Sequence, residues 1–117
     1  MDELLTKLTA AAAAARSLAA EAERELAAGR KELHRQALAR RADLLASLHG
    51  EVAAAIARLP PSLAPSVDRA LRAISDEAAE ARAIGSVWYM SILLAGAGRG
   101  EPDELDGVIA ALKGDAG

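Results

Sequence analysis

His34 and His49 are the chain's two histidines, and each has a carboxylate nearby: Glu32 lies two residues before His34 and Glu51 two residues after His49. A helical metal site uses Glu-x-x-His, in which the two ligands leave the same face. A separation of two points them to different faces. The histidines stand fifteen residues apart, nothing pairs them, and both read as solvated residues on a helix surface. The absence of cysteine removes thiolate metal ligands, disulfides and a cysteine nucleophile, and fits a reducing compartment. Ser86 follows Gly85, but Ile84 breaks the Gly-x-Ser-x-Gly pattern and no strand precedes it, so a serine nucleophile has no support. Gly96, Gly98 and Gly100 resemble a phosphate loop only in spacing. No Gly-Lys-Ser/Thr follows them, and Glu101 would repel phosphate. No catalytic residue, metal or cofactor is expected.

Charge narrows the choice of partners. Fourteen basic and seventeen acidic residues leave a net charge of −3, which disfavours nucleic acid, since phosphate binding draws on a basic excess. One local exception is the run of Arg30, Lys31, Arg35, Arg40 and Arg41 against the single acid Glu32. It serves either as a solvated face or as a docking patch for an acidic protein partner, because no aromatic residues are interleaved to stack on bases. Met1-Asp2-Glu3 opens without the positive charge of a secretory leader. The longest uncharged stretch, Ala83 to Gly98, is shorter than the roughly 20 residues of a membrane span. A cytoplasmic protein with no membrane span is the expectation.

The elements that would carry a site are helices. Alanine supplies 31 residues and leucine 17, against one Trp, one Tyr and no Phe; alanine is the best helix former, and strand-favouring residues are scarce. The first helix spans about residues 2 to 28, with Leu4, Leu8, Ala11, Ala15, Leu18 and Ala22 at alternating steps of four and three. Gly29 marks a turn. A second helix covers about residues 30 to 59 through Leu33, Ala37, Leu44 or Leu45, Leu48, Val52, Ala55 or Ile56, and Leu59. Pro60 and Pro61 stop it, and Ser62 or Ser66 can cap the next helix. That third helix is expected over about residues 66 to 95, with Ala70, Ile74, Ala81, Ile84, Trp88, Ile92 and Ala95 inward. Residues 96–102 form a Gly-rich linker, and a short amphipathic tail helix runs over about residues 103 to 113. The fold class is all-α: an elongated antiparallel three-helix bundle with a short tethered C-terminal helix. An alanine-lined seam gains less from burial than a leucine seam, so such a bundle is marginal alone and gains from a partner.

The third helix carries the most informative feature. Its outer face bears Arg69, Arg72, Asp76 and Glu80, and then the charges stop: Val87, Met90, Leu93 and Leu94 continue the same sector, opposite the line of Trp88. A helix that is apolar all round must be covered. Three covers are available: the tail helix through Leu105, Val108, Ile109 and Leu112, a second copy in a homodimer, or a helix of another protein.

Glu21-Ala22-Glu23-Arg24-Glu25-Leu26-Ala27-Ala28-Gly29, then Leu33, then Leu38-Ala39-Arg40-Arg41-Ala42-Asp43-Leu44-Leu45, resembles the FlgN-like flagellar export chaperones over about residues 2 to 95. Those proteins have a glutamate-rich end to the first helix, a short turn, and a basic residue before a Leu-Leu pair. The resemblance implies a cytoplasmic, non-enzymatic chaperone that keeps a hook-filament junction protein soluble and delivers it to the type III export apparatus. Carried across, it places client contact on Val87, Trp88, Met90, Leu93 and Leu94. The expected partners are a client helix and a component of the export apparatus. The alternative is a self-associating structural bundle or adaptor without a secreted client.

Overall fold

The computed structural model describes residues 2–85 and 104–116. It contains α1 (Asp2–Ala27), α2 (Lys31–Ala57), α3 (Ala64–Ile84) and α4 (Glu104–Ala116). The three long helices form the antiparallel bundle expected from their stripes. α2 packs along both α1 and α3, and α4 lies against α1 and α3. The molecule measures 48 × 26 × 19 Å, a short rod.

Each boundary has a local cause. α1 ends in a Schellman turn: Gly29 sits at φ +78°, the amide of Arg30 donates to the Glu25 carbonyl at 2.9 Å, and that of Gly29 to Leu26 at 3.0 Å. The turn expected at Gly29 is therefore a true break between two helices. α2 stops just before the Pro60-Pro61 pair, as proline chemistry requires. α3 starts two residues earlier than expected, at Ala64, with Leu63 at the N-cap position and Pro65 in the first turn. No side chain caps it: the Ser66 hydroxyl donates to the Leu63 carbonyl at 3.1 Å.

Two expectations need correction. A single third helix reaching Ala95 is interrupted, because Gly85 adopts φ +69° and its amide returns to the Ala81 carbonyl, which closes α3 at Ile84. Trp88, Ile92 and Ala95 lie outside the described residues. The tail helix does not stop at Gly114 but continues to Ala116, and its expected cap, Asp103, also lies outside.

The two ends of the rod are built differently. Toward the Pro60 turn, one large cluster gathers Leu4 and Leu8 from α1, Leu45, Leu48, Val52 and Ile56 from α2, Leu71 and Ile74 from α3, and Leu105 and Leu112 from α4. Toward the Gly29 turn, the core is Ala22, Ala37, Leu38, Ala42 and Ala81, with one large side chain among four alanines. Among the described residues the exposed large hydrophobics Leu26, Leu33 and Ile84 belong to this second end. Leu33 was expected on the seam, but the α2 stripe runs through His34, Ala37 and Leu38 instead. On α3 the buried line is Val67, Leu71, Ile74, Ala78 and Ala81. Ile84 falls about 100° from that line at 100° per residue, which leaves it in solvent.

Candidate functional site

α1 and α3 flank α2, and the space between them on the side away from α2 forms a trough. α4 lies in it. The four residues expected to cover an apolar face do so: Leu105, Val108, Ile109 and Leu112 are all buried, and Leu112 is fully enclosed. Among the described residues they join a cluster with Leu4, Leu8, Ala12 and Ala15 of α1 and with Val67, Leu71, Ile74 and Ala78 of α3; the apolar turns they were expected to cover, Val87 to Leu94, lie outside the described residues. Asp106 pairs with Arg16 on the α1 rim. On the α3 side, Ser66, Ala70 and Ala73 line a shallow cleft with Gly107 and Ala111. The residues expected to contact a client, Val87, Trp88, Met90, Leu93 and Leu94, lie outside the described residues.

The basic run does not form one open face. Arg30 makes two hydrogen bonds to the Glu25 carboxylate, one of them at 3.0 Å from Nη2. Arg35 reaches Glu32 at 3.4 Å, and Arg40 crosses to Glu21 of α1. Arg41 is corrected outright: it is buried at 4% exposure, beside the alanine-rich core, and cannot dock a partner from there. Its position follows the α2 stripe, since residues 34, 37, 38, 41 and 45 share one helix face. Lys31 is exposed.

Both histidines also depart from the surface reading. His34 is buried, and its Nδ1 donates at 2.8 Å to the carbonyl of Ala22, tying α2 to α1; a carbonyl only accepts, so that nitrogen carries the proton. His49 turns its Nε2 to the Oδ1 of Asp68 on α3 at 2.7 Å. Beside it, the buried hydroxyl of Ser75 donates to the Leu45 carbonyl at 2.8 Å and accepts from the His49 amide at 3.0 Å. Serine, histidine and aspartate thus stand together, yet the hydroxyl bonds the backbone of α2 and not the imidazole. The geometry ties two helices together and prepares no nucleophile. Sequence reasoning passed over Ser75 and Asp68. Their signal was position: a serine on the α3 line between Leu71 and Ala78, and an acid one turn before Arg72. Among the described residues no group of three acidic or histidine side chains gathers to hold a metal, and no helix is long and apolar enough to cross a membrane.

The Asp68 carboxyl is held below its ordinary value of 3.8, first by the hydrogen bond to His49, with partial desolvation opposing and Arg72 adding a second bond at 3.2 Å. Glu3, bonded by Lys7, and Glu25, bonded by Arg30, are lowered in the same way. A carboxyl with a depressed folded value contributes stability above its unfolded value and loses it as the pH falls through the folded one. Melting temperature should therefore hold steady from about pH 7 to pH 5 and drop below about pH 4. Asp68→Asn should flatten part of that acid limb in thermal melts followed by circular dichroism, and an unchanged limb would remove Asp68 from the account.

Comparison of the chain with protein-family models, with curated proteins and with solved structures gives no match.

Proposed function

We propose that this protein binds and shields an amphipathic helix of a protein client, without catalysis, as an export chaperone for a hook-filament junction subunit would do in the cytoplasm. One observation carries the reading: the bundle offers a trough across α1 and α3 that takes up an amphipathic helix by its apolar face, at present α4. That is helix-in-groove recognition, in which side chains at helical spacing fill a preformed hydrophobic channel. A second observation agrees with it. Leu26, Leu33 and Ile84, the large hydrophobics left exposed among the described residues, sit at the end of the rod where α3 closes at Gly85. The segment to which the resemblance assigns client contact, with Val87, Trp88, Met90, Leu93 and Leu94, begins two residues later in the sequence.

Trp88 is the only tryptophan, so its fluorescence reports on that segment alone. Titration with an amphipathic helix of a hook-filament junction protein should raise the melting temperature in proportion to ligand excess, and a blue shift of Trp88 emission would report contact at that segment. Trp88→Asp tests only the contact that the resemblance assigns to that segment: it should weaken capture while leaving helical content and melting temperature unchanged. Loss of folding in that variant would assign Trp88 to the core and overturn that contact, and a melting temperature that does not respond to the client helix would overturn the reading.

The same exposed Leu26, Leu33 and Ile84 also favour a second reading, a self-associating bundle joined at that end. Sedimentation over a range of concentrations separates the two: a stable dimer that ignores the client helix supports self-association, and a monomer that binds it supports the chaperone.

A further inference from the structure

α4 has thirteen residues and includes Gly107 and Gly114. A helix so short and so interrupted does not persist by itself in water, so its order comes from the trough. What the trough demands is legible in what it holds. Counting Leu105 as position 0, the buried anchors stand at 0, 3, 4 and 7, one face of a helix. Asp106, at position 1, meets Arg16 on the α1 rim. Gly107 and Ala111, at positions 2 and 6, border a cleft whose other side is Ser66, Ala70 and Ala73. One rim is charged and the other is small and smooth. A helix rotated about its axis would set its carboxylate against alanine.

Resting on the reading that the chain takes up a client helix, we infer that the trough between α1 and α3 is the receptor and that it selects a partner with the side-chain code of α4. That partner is an amphipathic segment of about three turns. It carries apolar residues at positions 0, 3, 4 and 7 and a carboxylate at position 1 to meet Arg16, while positions 2 and 6, exposed beside the open cleft, set no requirement. α4 occupies the receptor as a tethered equivalent, and a partner enters by exchange with it.

The probe is a fluorescein-labelled peptide of residues 104–116, followed by anisotropy against the full-length chain. In the wild type, tethered α4 competes at an effective concentration of about millimolar, and the peptide binds weakly. The full chain carrying Val108→Asp and Leu112→Asp should bind it at least about tenfold more tightly. A peptide with Asp106→Arg should lose about two- to fivefold on that host and regain it when the host also carries Arg16→Glu. Equal binding to wild type and double variant overturns the receptor, as does no binding to a variant that keeps its helical circular dichroism. Indifference to the charge swap overturns the assigned carboxylate. If the double variant loses its helical signal, the full chain with Asp106→Arg serves as host, and tighter peptide binding than to wild type is again the supporting result. Peptide capture without any response to a hook-filament junction helix would sink the flagellar reading and leave the receptor standing.

Discussion

Leu71→Ala should remove about 2–5 kcal/mol of stability. Leu71 has no exposed surface, and it belongs to the cluster in which all four helices meet. A small domain holds about 5–15 kcal/mol in all, so the variant should show a clearly lowered urea midpoint. Leu8→Ala, equally enclosed from α1, should behave alike. Leu33→Ala is the control: Leu33 is 45% exposed, and surface changes of that kind stay within about 0.5 kcal/mol. Equal midpoints for Leu71→Ala and Leu33→Ala would mean that the leucine-rich end is not the centre of stability.

At the opposite end the expected error is excess volume. Ala22 and Ala37 are completely buried in a core where alanines let α1, α2 and α3 approach closely. Ala22→Leu puts three extra carbons into that contact, and it stands beside the carbonyl that accepts the His34 bond. Overpacking of this kind costs about 1–3 kcal/mol, and loss of a buried hydrogen bond adds to it. Ala13→Leu, on the exposed face of the same helix, should be close to neutral. Urea melts of the two variants side by side decide the matter. A stabilised Ala22→Leu would reveal unfilled space where the structure places backbone.

These contrasts explain which features were legible in the sequence. The leucine spacing of α1 and α2 fixes their length and their inward faces to within a residue or two, and the Pro60-Pro61 stop is unambiguous because proline has no amide to donate. Alanine gives no such guidance: a run like Ala10 to Ala15 looks alike from every side, so the stripe drifted to Ala11 and Leu18, both half-buried, while Ala12 is buried. The same ambiguity placed Leu33 inside and His34 outside, the reverse of the structure. Gly85 lies within an apolar stretch, where glycine either ends a helix or is tolerated in it; only its left-handed conformation decides. Of the candidate site, the face of α4 was legible from its period. Its position on the first half of α3 was not, because periodicity says which side of a helix is covered and not by what.

Ser75 has a further consequence. Its hydroxyl engages the Leu45 carbonyl and the His49 amide together, the two groups one turn apart that a helix ordinarily joins to each other. Rows of alanine allow neighbouring rods to slip lengthwise, since each turn presents nearly the same profile as the last. Slippage of α3 along α2 by one turn, about 5.4 Å, would return the Leu45 carbonyl and the His49 amide to each other and leave the buried Ser75 hydroxyl without either partner. A single polar atom thus acts as a detent, fixing the axial alignment that interchangeable methyl groups leave undetermined.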